Sequence, residues 1–196
     1  MFTAIAARLD ALRTRLAEPH RAYHGQRHID ILLDWHRKVR DHLRSPDAVE
    51  LAIWYHDAIY VPLRPDNETA SAALLRADLA GLAAPTLIET AAVLILATQR
   101  HEIPPGLAPH LAHDCAWFLD MDLSILGADP ETFAWYDAAI RTEYAAVPDP
   151  EWRARRPKIL GTFLARDRLY LTDVFHTRLD APARANLRAA IAALTE

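Results

Sequence analysis

An adjacent His56-Asp57 pair lies inside the run Leu51-Ala52-Ile53-Trp54-Tyr55-His56-Asp57-Ala58-Ile59-Tyr60, whose other side chains are apolar or aromatic. At helical period Val49, Ala52, Ile53 and His56 share one face. His56 therefore closes a core-facing stripe, and Asp57 sits about 100° round at its edge. An unpaired carboxylate in such a setting costs several kcal/mol. The pair must be hydrogen-bonded, ion-paired or bound to a metal.

Other polar side chains share this inward placement. His28 belongs to the stripe His28, Leu32, Trp35, Val39 and Leu43, with His24 one turn earlier, whereas His36 and His42 read as solvated. A lone histidine on an apolar stripe is more often a hydrogen-bonded core residue, but His28 has the company of His56 and Asp57. His101 shares a face with Leu94, Ala97 and Thr98. Of two acids among apolar residues further on, Asp122 shares a stripe with Cys115, Phe118, Leu119 and Leu126, while Asp120 falls with Ala116 and Leu123 on a second plausible face. Asp122 is the better inward carboxylate. Glu68, early in a helix, either favours the positive end of the helix dipole or turns back toward the His-Asp pair to handle a proton. His28, His56, Asp57 and Asp122 together make a mixed nitrogen and oxygen ligand set. It suits one divalent transition metal, Mn, Fe, Co, Ni or Zn, better than a magnesium ion held only by oxygens. Four protein ligands leave positions for a water and a substrate oxygen, and the charge of the ion makes that water acidic.

The elements that must position these residues read as helices throughout. Ala and Leu dominate, Gly numbers 5, and the 13 Pro fall in short breaks, with no convincing strand alternation. Helices are expected over 3–17 with Ile5, Leu9, Leu12 and Leu16 inward, over 26–43, and from Ser45-Pro46-Asp47 into the His-Asp run. Further ones open near Asp66-Asn67-Glu68 and close at Gly81, then cover 85–101, 113–126, a segment starting at Asp129-Pro130-Glu131, and 182–194. The length of 196 residues and the absence of repeats suggest a single domain over 1–196. A net charge of −4 without a long basic run argues against a nucleic-acid polymer as partner. One cysteine, no apolar stretch of membrane-spanning length and no charged-then-apolar leader suggest a cytoplasmic protein without a membrane partner.

The order His28, then His56-Asp57, then Asp122 resembles the HD-domain superfamily of metal-dependent phosphohydrolases. The flanks Arg21-Ala22-Tyr23-His24, Asn67-Glu68 with Ser71-Ala72, Thr98 with His101, Leu119-Asp120-Met121-Asp122-Leu123, Ile140-Arg141-Thr142-Glu143-Tyr144 and Ala183-Arg184-Ala185-Asn186-Leu187 are similar to a bacterial branch of predicted HD phosphohydrolases. The likeness runs through nearly the whole chain. It implies an all-α, single-domain HD-type helical bundle with the metal between helices, and a small phosphorylated substrate, a nucleotide or other phosphate ester. It also implies that His28, His56, Asp57 and Asp122 are the metal ligands.

The remaining roles are expected on chemical grounds. Asp57 and Glu68 would be catalytic, and His24, His101 and Arg141 would bind substrate. Arg141 would use its planar fork to grip phosphate, unless it pairs with an acid on the surface. Where a Gly-Arg pair is expected before the late apolar helix, this chain has Arg155-Arg156-Pro157, so no substrate role is assigned to those arginines. Two other functions fit the same residues. One is a diiron oxygenase, with His24 and His101 holding a second ion. The other is a non-catalytic metal- or nucleotide-binding module, against which retention of all four ligands argues.

Overall fold

The computed structural model describes residues 2–195, with side chains from residue 7 onward. Nine α-helices and no strand occur among them, as the composition predicts. The helices group into two compact units, one up to Met121 and one from Asp122.

In the first unit, α1 (Phe2–Leu16) buries Leu12 and Leu16; the side chain of Ile5 lies outside the described residues. It is followed by α2 (Gln26–Val39), α3 (Pro46–Tyr55), α4 (Asn67–Leu79), α5 (Pro85–Ala97) and α6 (Pro109–Asp122). The middle of the unit is α3, packed against α1, α2, α4 and α5. From Ala48 to Tyr55 only Glu50 is not buried. Proline at the first turn starts both α3 and α5, where its missing N–H costs nothing and its φ is already helical.

Several boundaries and faces differ from the expected ones. The second helix stops at Val39 and tightens into a 3₁₀ turn over Arg40–His42. On it His36 is buried rather than solvated, its Nε2 donating to the Pro46 carbonyl at 3.0 Å. The buried stripe is His28, Ile29, Leu32, His36 and Val39, rotated past Trp35, which is half-exposed under the Lys38 ammonium 5.0 Å above its ring. Next, α3 ends at Tyr55, so His56 is its C-cap and Asp57 lies in the turn beyond. The apolar α5 stops at Ala97, and His101, expected in its last turn, lies in a turn with φ at +50°. The sixth helix starts earlier than expected, at Pro109, and gives way after Asp122 to a 3₁₀ turn, Leu123–Gly127.

The second unit consists of that turn with α7 (Pro130–Glu143), α8 (Asp149–Leu164) and α9 (Asp173–Thr195). Asp129 caps α7, accepting from the Thr132 amide at 3.0 Å, as the Asp-Pro-Glu start predicts. The last helix begins nine residues before the expected Pro182, which is an exposed position inside it. Gly127 lets α9 approach closely, because a Cβ there would lie 2.7 Å from that of Leu179. Tyr170 Oη donates to the Leu123 carbonyl at 3.0 Å, and Asn186 Nδ2 donates to those of Leu126 and Ala128, both at 2.9 Å. No helix among the described residues is long and apolar enough to cross a membrane.

Candidate metal centre

Three side chains from three helices of the fold bring potential ligand atoms to one place. One donor atom each from His28 on α2, His56 at the end of α3 and Asp122 at the end of α6 lie within 4.8 Å of one another. His28 and His56 are buried and Asp122 is partly so. This group can hold a metal ion.

Local packing explains the convergence. Asp114 on α6 is buried and accepts from the amides of Arg44 and Ser45 at 2.8 and 2.7 Å. It thereby caps the start of α3, where the Ser45 side chain makes no cap of its own, and fixes the register of α6 on α3. One turn along α6, Phe118 meets the His56 ring edge-on with centroids 5.8 Å apart. Asp122 follows Phe118 by four residues and so lies on the same helix face. Burial alone would not have chosen it, since Asp120 is completely buried.

The His56 ring is held from behind, its Nδ1 2.9 Å from the Ile53 carbonyl. A carbonyl only accepts, so Nδ1 carries the proton and, in the neutral ring, Nε2 presents a lone pair. That lone pair stands 3.1 Å from His28 Nε2 and 3.0 Å from Asp57 Oδ2, which is itself 3.6 Å from His28 Nε2. Asp57 Oδ2 is buried and finds no hydrogen bond of good geometry, although its side chain as a whole is 16% exposed. Neighbouring ligand atoms on an ion with bonds of about 2.1 Å stand roughly 3.0 Å apart in an octahedral shell and about 3.4 Å apart in a tetrahedral one. The observed spacings fall close to these, and an orphaned carboxylate oxygen facing imidazole nitrogens fits a cation between them. Burial by itself would raise the Asp57 carboxyl, but positive charge on the imidazoles of His56, His24 and His28, when they are protonated, and a hydrogen bond from His56 outweigh it and hold the group well below the usual carboxylate range.

The other expected site residues are distributed unevenly. His24 stacks on Tyr60 at 4.0 Å and meets the His28 ring edge-on at 6.1 Å, so it borders the group. Glu68 is half-buried in the first turn of α4 and makes no hydrogen bond or ion pair with His28, His56, Asp57 or Asp122 among the described residues. His101 is half-buried and is not one of the converging group. Arg141 serves the second unit: it donates to the carbonyls of Tyr144 at 2.8 Å and Val147 at 3.2 Å, pairs with Asp149 at 2.5 Å, and lies over the Trp152 ring. Arg156 is buried against Asp137 and Tyr136, and Arg155 pairs with Glu151.

Some supporting residues went unassigned in the sequence. Ser71 Oγ accepts from the Ile59 amide at 3.0 Å and donates to its carbonyl at 3.2 Å. Asn67 does the same for Val61, both bonds at 3.0 Å. Asn67 and Ser71 thus sew the loop after His56-Asp57 onto α4, and their spacing of four on one helix face was the available signal. No family model, curated protein or solved structure matches the chain.

Proposed function

We propose that this chain is a metal-dependent phosphohydrolase acting on a small phosphorylated molecule, a nucleotide or another phosphate ester. The observation that carries the proposal is the convergence of His28, His56 and Asp122, with Asp57 Oδ2 close to both imidazoles. The order of these residues and their flanks resembles that of HD-domain phosphohydrolases.

A dication in this site would make a water acidic and offset the charge that develops on a phosphoryl group. The chain's own residues prepare the rest. His28 and His56 supply neutral nitrogen donors, while Asp57 and Asp122 bring two negative charges that balance a dication. The centre then carries no excess negative charge to repel a phosphate. The proton from the attacking water needs an acceptor, for which Glu68 is proposed; His24, which stacks on Tyr60, is proposed to meet the substrate. The diiron oxygenase rests on His24, whose ring stands 6.1 Å from that of His28.

The test is a screen of phosphomonoesters, phosphodiesters and nucleotides with Mn²⁺, Co²⁺ or Mg²⁺, together with elemental analysis of the purified protein. Phosphate or nucleotide release that depends on added metal and disappears in Asp57→Ala is the expected result. Two bound irons with an oxygen-sensitive spectrum and no hydrolysis would favour the oxygenase. Metal uptake without turnover on any of these substrates would favour a binding module.

A further inference from the structure

Arg21 carries a full charge into the interior, with its side chain only 1% exposed. Its Nε donates to Glu18 Oε2 at 3.0 Å. Nη1 donates to the carbonyls of His24 at 3.0 Å and Asp57 at 2.6 Å, and Nη2 donates to that of Ala58 at 3.1 Å. The carbonyls of Asp57 and Ala58 lie beyond the end of α3, so no amide four residues on in a helix is there to meet them. A single guanidinium takes that place and ties them to the segment bearing His24.

We propose that Arg21 is a positioning residue for the metal centre. By fixing the peptide planes that follow His56 and Asp57, it sets where the Asp57 carboxylate points, and by holding the His24 carbonyl it sets how that histidine borders the site. This inference rests on the metal-centre reading. The guanidinium fork is essential to it. A lysine at this position keeps the charge, but its compact ammonium cannot serve three carbonyls from one plane.

Arg184 provides a matched control in the second unit. It donates to the carbonyls of Leu164, Arg166 and Asp167 and pairs with Asp180, so Arg184→Lys disturbs the same kind of network among partners that are none of the converging ligands. The experiment is a Co²⁺ titration followed by visible absorption on the full chain, at a temperature where circular dichroism shows each variant helical. Arg21→Lys should weaken Co²⁺ binding roughly 10–100-fold, the range for residues that orient metal ligands, and change the shape of the Co²⁺ bands. Glu18→Ala, which removes the part-exposed carboxylate that Arg21 shares with His20, should shift both in the same direction by less. Arg184→Lys should melt earlier yet bind Co²⁺ with wild-type affinity and bands.

Wild-type affinity and bands in Arg21→Lys would overturn the inference, as would equal weakening in Arg184→Lys. If Arg21→Lys does not fold, unchanged binding in Glu18→Ala overturns it. Absence of Co²⁺ uptake by the wild-type chain would instead remove the metal-centre reading and this inference with it.

Discussion

His28, His56 and Asp57 in the first unit face one another, whereas Arg141, Arg156 and Arg184 in the second each face partners they satisfy. Arg141 closes the turn between α7 and α8, Arg156 joins Asp137 to Tyr136, and Arg184 gathers three carbonyls ahead of α9. The Trp152 ring meets two of these guanidinium groups, at 5.2 and 5.5 Å. A guanidinium stays charged and offers donors only, so matched to carbonyls and carboxylates it makes a finished structural joint. Imidazole nitrogens and a carboxylate oxygen about 3 Å apart make no such joint without a proton or a cation between them. The difference marks where the fold gathers potential ligand atoms.

The sharpest way to break this comparison is at Asp57. Asp57→Ala removes a proposed ligand and one of the charges that would favour a dication, and should lower metal content from about one ion per chain to near zero, read by elemental analysis. If Asp57 were only a structural acid, metal content would not change. Glu68→Gln comes next. Loss of a proton acceptor with the shape retained should reduce turnover roughly 10²–10⁴-fold with normal metal content, measured by steady-state kinetics on the best substrate of the screen. Near-normal turnover would leave Glu68 as a helix-start carboxylate.

A narrower contrast lies on one helix. Asp122→Asn should impair Co²⁺ binding about 10-fold or more, while Asp120→Asn should chiefly lower the melting temperature, because Asp120 is completely buried but is not among the converging donors. Equal loss of metal in both variants would blur the line drawn between ligand and structural acid. In the second unit, Arg156→Met should cost about 1–3 kcal/mol of stability in a denaturant titration and leave Co²⁺ binding intact, since it strands Asp137, which is none of the converging donors.

Much of this was legible because helical period carries it. His28 and Leu32 share a face four residues apart, and so do Phe118 and Asp122, and the structure keeps both pairs on one face. The all-helical class followed from composition and the proline-marked starts. What was hidden depends on contacts distant in sequence. Nothing near Arg21 signals that its guanidinium reaches carbonyls 36 and 37 residues away, or that it replaces helical bonding after Tyr55. The face of α2 differs from the expected one at one point for a related reason: Trp35 looks like the inward residue by hydropathy, but Lys38 covers it at the surface. His36 goes inside because the Pro46 carbonyl offers its ring a partner.

His36 therefore belongs with the second unit's arginines rather than with the other buried histidines of its own unit, and this yields the smallest and most selective prediction. Burial outweighs its hydrogen bond to Pro46 and the nearby Glu50, so its pKa is lowered from the ordinary value. The folded chain then resists a proton that the unfolded chain accepts, and stability falls as pH drops from about 6.5 toward the lowered folded value. The sign is opposite to that of a histidine stabilised by protonation. One such group changes stability by at most about 1.4 kcal/mol per pH unit. His36→Gln retains an N–H for the Pro46 carbonyl but does not titrate, so its melting temperature should fall less than that of the wild type between pH 7.5 and 5.5, measured with metal removed. A parallel decline in the two proteins would mean that His36 takes up no extra proton on unfolding, and the division between joint-forming and ligand-forming histidines would then rest on geometry alone.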